Sequence, residues 1–218
     1  SLARTLLSRD AVGEATVLAD SAYALRMRHH DPPHSLIADA LVLRSSVFRA
    51  RGRFAEAEAL AREATAMLRQ VYGEDHIQVA WAQSHIVQAL ARQERTAEAA
   101  GLQRELARRY ARAVGDDHPG TLAAIVRMAE LEAELGRGEE AERLYRAALP
   151  KLESLVPGRP TLSRPLTGFG MLLASAQRCE EAAPYLRRGL RIAAPRFRED
   201  RAWLDRARAA AALCERPR

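Results

Sequence analysis

Apolar residues recur at intervals of three or four along most of the chain, which is the pattern of amphipathic helices. One apolar stripe contains Ile37, Leu41 and Phe48, and the next runs from Ala57 to Leu68. The breaks between stripes are short and contain glycine or charged residues. Long runs of alternating β-branched residues and Asn-Gly turns, the usual signals of strands and hairpins, do not occur. The pattern predicts an all-α fold.

Two sequence markers recur with a period of 42 residues, and they keep the same register. The first marker is a loop in which His34, His76 and His118 are spaced 42 residues apart. The second marker is a Glu-Ala pair, which appears at 14–15, 56–57, 98–99, 140–141 and, one residue early, at 181–182. Such self-similarity is the signature of a repeat protein in which each unit buries its apolar face against its neighbours.

Each repeat is predicted to contain two helices: helix A after the histidine loop and helix B at the Glu-Ala pair. The predicted units are 1–33, 34–75, 76–117, 118–158 and 159–197, followed by a capping helix at 198–214. We expect an α-solenoid of about five antiparallel helix pairs that forms one domain over 1–218. Because the chain starts without methionine and inside a helical pattern, we also expect a fragment of a longer protein.

Several local details follow from the repeat register. Small residues at the Glu-Ala pair allow helix A to approach closely, and Gly168 and Gly170 are expected to ease packing in the same way inside a helix A. Asp75 and Asp117 are predicted to cap the next helix A. Glu94 stands in place of the break glycine, while Arg44 and Gln83 stand where leucine is expected, so locally irregular packing is predicted at those three places.

Charge and cysteine content narrow the function classes. The net charge is +6, but the basic residues, all arginine except Lys151, alternate with acids at helical spacing, as in Glu58 with Arg62. This pattern predicts a solvated surface without nucleic-acid binding, and the arginine bias suggests a bacterial source.

The absence of a membrane span or signal peptide predicts a cytoplasmic protein. Cys179 and Cys214 are therefore predicted to be buried thiols.

Candidate chemistry is sparse. The best metal candidate is the cluster of His29, His30, Asp31 and His34. His34, however, is already accounted for by the repeat register, and the prolines beside it mark an ordinary loop between helices. We therefore favour a structural role for these histidines and predict no metal site. Serines lack a nucleophile-elbow pattern, and glutamates lie on solvated faces. We therefore predict no enzyme activity and no cofactor.

The repeat resembles the tetratricopeptide repeat (TPR) in the 42-residue variety of kinesin light chains. The resemblance lies in Gly-Arg-Phe-Ala-Glu-Ala-Glu-Ala-Leu at 52–60, in Gly-Arg-Gly-Glu-Glu-Ala-Glu-Arg-Leu-Tyr at 136–145 and in the Gly-x-Asp-His loops. It implies a right-handed superhelix that acts as a protein–protein interaction scaffold. Its ligand, a peptide or partner protein, is expected in the concave groove formed by the A helices. The alternative is a regulatory or sensor region of a larger enzyme such as a bacterial serine/threonine kinase, and self-association through the solenoid ends is a third possibility.

The resemblance also places particular side chains on the groove wall. Trp81 is either an exposed anchor for a partner or packed against the adjacent hairpin, and both interpretations stay open. The full set of expected groove residues is Arg4, Asp39, Ser46, Arg49, Trp81, Ser84, His85, Gln88, Arg92, Arg127, Glu130, Glu134, Arg164 and Met171.

Overall fold

The computed structural model describes residues 11–193 and 201–215, and every regular element in those ranges is helical. They include one 3-10 turn, Pro160–Leu162, directly before the helix that begins at Ser163. The predicted first helix A at 2–8 lies outside the described residues, as do 198–200 of the predicted capping helix. The α-helices are α1 Val12–His29, α2 Ser35–Ala50, α3 Phe54–Tyr72, α4 Ile77–Arg92, α5 Thr96–Val114, α6 Pro119–Glu134, α7 Gly138–Leu155, α8 Ser163–Ser175, α9 Cys179–Ile192 and α10 Arg201–Glu215.

The helices pack as consecutive A and B partners. The pairs are α2 with α3, α4 with α5, α6 with α7, and α8 with α9, whereas α1 is a helix B and α10 packs on α8 and α9. This arrangement confirms the all-α class and the solenoid type of packing. The chain divides into two compact units, Ser1–Gly115 and Asp116–Arg218. They are described separately below as the first and second unit, and the single-domain organisation stays a prediction.

The alanine of each Glu-Ala pair is a point of close helix contact. All five alanines have no exposed surface, and the hydroxyl of Ser45 on α2 donates a hydrogen bond of 2.7 Å to the carbonyl of Ala57 on α3. A larger side chain there would hold the two backbones apart. The close approach predicted at the marker is therefore confirmed.

The turn between helix A and helix B uses a left-handed residue in every described repeat. Gly52 and Gly136 have φ of 75° and 76°, the conformation that glycine adopts at little cost. Glu94 and Gln177 adopt the same conformation at 62° and 61°. The packing predicted to be irregular at Glu94 is thus a regular turn, in which a non-glycine residue accepts the backbone strain.

The three register histidines begin the A helices. The Nδ1 atoms of His34, His76 and His118 accept hydrogen bonds of 3.1, 3.2 and 3.0 Å from the backbone N–H groups two residues later. These bonds satisfy donors that a helix N-terminus leaves without partners. The prediction that Asp75 and Asp117 are the caps is wrong, because the imidazole one residue later has the extended backbone and the reach for this bond.

We expect His76→Ala to lower the free energy of unfolding by about 1 kcal/mol, since it removes the cap of α4. His76→Asn is the matched control, because its side-chain carbonyl accepts the same hydrogen bond and should retain most of the stability. Urea unfolding monitored by circular dichroism compares the two variants. Equal losses in both would contradict the capping role.

At two repeats, an arginine at the start of helix B joins successive hairpins. Arg95 donates to Glu98 of its own helix and, at 2.7 Å, to Glu58 on the helix B of the preceding repeat. In the second unit Arg178 bonds Glu142 in the same way at 2.8 Å. The same contact thus occurs once in each unit, between side chains at equivalent positions of the repeat.

Contacts with arginines lower the pKa of the carboxylates that they reach. Partial burial acts to raise the pKa of Glu58, but hydrogen bonds from Gln93 and Arg62 and the charges of Arg62 and Arg95 outweigh it and lower that pKa below its ordinary value. Hydrogen bonds from Arg178 and Arg146 lower the pKa of Glu181 to about 2. The carboxylates are therefore ionised at neutral pH and hold the arginines in place.

The two cysteines form a disulfide, which corrects the prediction of buried thiols. Cys179 is the first residue of α9, Cys214 lies near the end of α10, and their Cα atoms are 4.9 Å apart. Sequence spacing alone did not reveal that the cap returns along α9.

None of the helices within 11–193 and 201–215 contains an apolar stretch long enough to cross a membrane. A cytoplasmic location remains a prediction.

Candidate functional site

The predicted groove residues of the first unit lie on α2 and α4. Ser46 is buried and donates 3.1 Å to the carbonyl of Val42, whereas Arg92 is exposed and lies over the ring of Phe54 at 4.9 Å. Arg4 lies outside the described residues. The remaining members are partly exposed, and they are Asp39, Arg49, Trp81, Ser84, His85 and Gln88.

A pocket of about 560 Å³ opens between helices of the first unit. This volume lies within the range of ordinary ligand sites. The pocket brings together residues of α1, α2, α4 and α5, including two of the predicted groove residues, Asp39 and Trp81. The lining consists of Ala22, Arg26, Asp39, Leu43, Ile77, Gln78, Trp81 and Tyr110.

Trp81 packs against the core and also lines the pocket, while its role as an anchor for a partner stays a prediction. One part of its side chain packs against the apolar cluster of α2, α3 and α4 that contains Leu41 and Val79. Another part lines the pocket. His85, one turn later, meets the indole edge to face at a centroid distance of 5.4 Å, and its Nδ1 lies 3.5 Å from the hydroxyl of Ser46. The indole is therefore fixed by the core while part of it remains accessible.

Arg26 and Tyr110 are pocket residues that the sequence reasoning missed. Both belong to B helices, α1 and α5, whereas the family resemblance predicted ligand contacts from the A helices alone. The guanidinium of Arg26 donates to the carbonyl of Leu36 at the start of α2, which fixes its orientation. Burial raises the pKa of Tyr110, so its phenol remains a hydrogen-bond donor at neutral pH. The sequence carried no signal that singles out Tyr110, because every B helix in the described residues contains a tyrosine.

The groove residues of the second unit form a different environment. Glu130 is only 3% exposed and accepts hydrogen bonds from Arg127 and, at 3.0 Å, from Arg164 on α8. Its carboxylate is thus engaged by two guanidinium groups within the protein. Glu134 is exposed at the end of α6, and Met171 packs against the apolar core of the unit.

Helix α10 covers part of this second wall. The ring of Trp203 lies over the guanidinium of Arg164 at 4.0 Å, and its Nε1 donates 2.9 Å to the hydroxyl of Thr167. Both residues occupy wall positions of the fifth repeat. The sequence placed α10 as a cap but did not show that its tryptophan lies on Arg164, a residue expected to face a ligand.

A buried tyrosine lies next to this charged cluster. Burial, reinforced by the charge of Glu130, raises the pKa of Tyr145 well above its usual value. Its phenol oxygen would lie 2.5 Å from a Cβ on Gly168, so glycine there leaves room for the hydroxyl. Its ring stacks on Phe169 at 5.1 Å. Tyr145 is a core residue that stays protonated.

The histidine loop before α2 has a structural role. The rings of His30 and His34 stack at a centroid distance of 4.0 Å, and His34 caps α2. Within the described parts of the chain, no group of three or more histidine, cysteine, aspartate or glutamate side chains is placed to hold a metal ion.

Comparison with known families identifies one matching model. The tetratricopeptide repeat model matches three overlapping stretches, 36–111, 79–154 and 120–194, which together cover most of the chain. No curated protein matches the chain in sequence.

Solved structures share the fold at low sequence identity. The kinesin light chain-like TPR repeats of Podospora anserina are 19% identical, cover 90% of this chain and 94% of their own, and give a TM-score of 0.68. BtubC from P. vanneervenii is 20% identical over 94% and 83%, with a TM-score of 0.73. The Rap conjugation gene regulator of plasmid pLS20, in complex with the Phr* peptide, is 12% identical over 99% and 57%, with a TM-score of 0.78. At these identities the similarity establishes the fold.

Proposed function

Because this chain belongs to the tetratricopeptide repeat family, we propose that it is a protein-interaction scaffold that binds an extended peptide or a partner helix along its A helices. The observation that carries the proposal is the pocket of the first unit, where a core-fixed tryptophan meets a small set of polar groups. TPR arrays typically act as binding modules and not as catalysts, in agreement with a function in recognition.

The chemistry of the pocket favours a bulky apolar anchor with polar groups beside it. Trp81, Leu43 and Ile77 supply apolar and aromatic surface, while Asp39 and Arg26 supply one charge of each sign. Tryptophan side chains that are held rigidly and partly desolvated dominate many interfaces, because they lose little entropy on binding. We therefore expect one apolar side chain of the ligand to enter the pocket, with its backbone near Gln78 and Tyr110.

Relatives in structure give further support. The Rap regulator was solved with a peptide bound, and YrrB, 15% identical with a TM-score of 0.50, is a TPR protein with an unusual peptide-binding site. These facts belong to those proteins, and they make peptide binding a reasonable proposal for this one. The regulatory-segment alternative, self-association and the expected lack of nucleic-acid binding stay predictions.

We expect Trp81→Ala to weaken peptide binding more than 10-fold. The probe is a phage-displayed library of random 12-residue peptides selected on the immobilised protein, followed by titration of the selected peptides by fluorescence anisotropy. Removing the indole deletes the apolar wall of the pocket, and loss of such an anchor has this order of effect.

Two further variants make the test specific. Leu155→Ala removes an exposed apolar side chain at the end of α7, in the second unit and outside the pocket, and should leave the affinity unchanged. Asp39→Asn changes a pocket charge without touching the apolar cluster that holds Trp81, and it should alter peptide preference while the protein stays folded. Peptides that bind all three variants as tightly as the wild type would place recognition elsewhere and refute the proposal.

A further inference from the structure

The cap helix α10 is held to the second unit by few side chains. Of its fifteen residues, Trp203, Leu204 and Ala207 are buried, and all three lie in its first half. The hydrogen bond from Trp203 to Thr167 and the contact of its ring with Arg164 belong to the same end. An isolated helix of this length is marginally stable in water. Ala210, Ala211 and Cys214 of the second half are only partly buried against the core, so this half has less apolar burial to hold it in place.

The disulfide secures that second half. Cys214 lies near the end of α10, and its sulfur is bonded to Cys179 at the start of α9, 35 residues earlier. The cross-link restricts how far the end of α10 can move from α9, and so it favours the docked arrangement. The cross-link and the tryptophan together hold α10 at both ends.

The docked helix covers a surface with its own binding chemistry. Trp203 covers Thr167 and Arg164, and its ring comes within 3.2 Å of a Cβ position on Gly168, so that the glycine leaves room for it. Arg164 occupies a wall position of the last hairpin. With α10 undocked, Arg164 and the apolar surface under Trp203 become more accessible.

From this arrangement we propose that the Cys179–Cys214 disulfide is a redox-controlled latch that determines whether α10 covers the wall of α8. A dithiol reductant of the thioredoxin class opens the latch: one thiolate attacks a sulfur, a mixed disulfide forms, and the second thiol of the reductant resolves it. Two electrons and two protons pass to the cysteines, and the reductant leaves as its own disulfide. Both cysteines are half-buried, so the disulfide lies close to the protein surface.

Hydrogen–deuterium exchange on the full chain tests the latch. Oxidised protein should protect the amides of 201–215, and dithiothreitol should increase their exchange at least 10-fold, with two new thiols titrated per chain. The double variant Cys179→Ser/Cys214→Ser should exchange like the reduced wild type in both conditions. Amides of α4 in the first unit serve as the internal control and should not change.

A second measurement guards against general destabilisation. In a Trp81→Phe background Trp203 is the remaining tryptophan, and its emission should shift to longer wavelength on reduction while the helical circular dichroism of the other helices persists. Unchanged protection of 201–215 after both thiols have been titrated would make the disulfide a passive link and overturn the proposal. Two free thiols that glutathione disulfide cannot oxidise would overturn it as well.

Discussion

Gly189→Ala is expected to lower the free energy of unfolding by about 2–3 kcal/mol, although alanine is the better helix former. A Cβ at this position of α9 would lie 2.9 Å from the backbone nitrogen of Thr167 and 3.0 Å from the Cβ of Leu166. Neither atom can rotate away, because both belong to the α8 framework. The hydroxyl of Ser163 also donates 2.9 Å to the carbonyl of Gly189, which fixes the spacing of the helices. The added methyl group must push α8 and α9 apart.

Gly101→Ala is the matched control for this variant. Gly101 lies inside α5, is exposed, and has no atom within 4 Å of the Cβ that alanine would add. The same substitution should therefore raise the free energy of unfolding by about 0.5–1 kcal/mol through reduced entropy of the unfolded chain. Urea unfolding of both variants gives the comparison. A stabilised Gly189→Ala, or shifts of the same sign in both, would show that the α8–α9 contact is not close enough to require glycine.

The two glycines also illustrate what the sequence could and could not reveal about the fold. The period of 42 residues predicted the repeat units, the contact alanines and the small residues Gly168 and Gly170 inside a helix A. The register does place Gly189 at the buried position that Ala64 occupies in its own helix B, and Gly101 at an exposed position, but it does not show that the position of Gly189 admits no Cβ. The difference arises from how closely another helix approaches, which is a tertiary property.

The sequence also predicted only part of the candidate site. The A-helix register placed Asp39 and Trp81 on one surface, and both line the pocket. It could not supply Arg26 and Tyr110, because these come from B helices that are distant in sequence and reach the pocket only through the packing of successive hairpins. The burial of Glu130 was also not predictable, because the sequence does not show that two arginines pair with this glutamate and allow it to be buried.

Gln83→Leu is expected to raise the free energy of unfolding by about 2 kcal/mol. Gln83 is 3% exposed within α4, and its Oε1 lacks a hydrogen-bond partner among the described residues. An unsatisfied buried acceptor costs about 1–3 kcal/mol, and an apolar side chain of similar size removes that cost. The repeat supports the choice of leucine, because the equivalent position 42 residues earlier is Leu41, which is fully buried.

Gln103→Leu separates this effect from a general gain in hydrophobicity. Gln103 on α5 is similarly buried but makes an interaction within the protein, so leucine there removes that interaction and should lower the free energy of unfolding. Thermal and urea unfolding of the two variants should therefore move in opposite directions. A loss of stability in Gln83→Leu, like that in Gln103→Leu, would mean that Oε1 of Gln83 has a hydrogen-bond partner in solution. The glutamine at this leucine position of the repeat would then be a functional polar residue and not a packing defect.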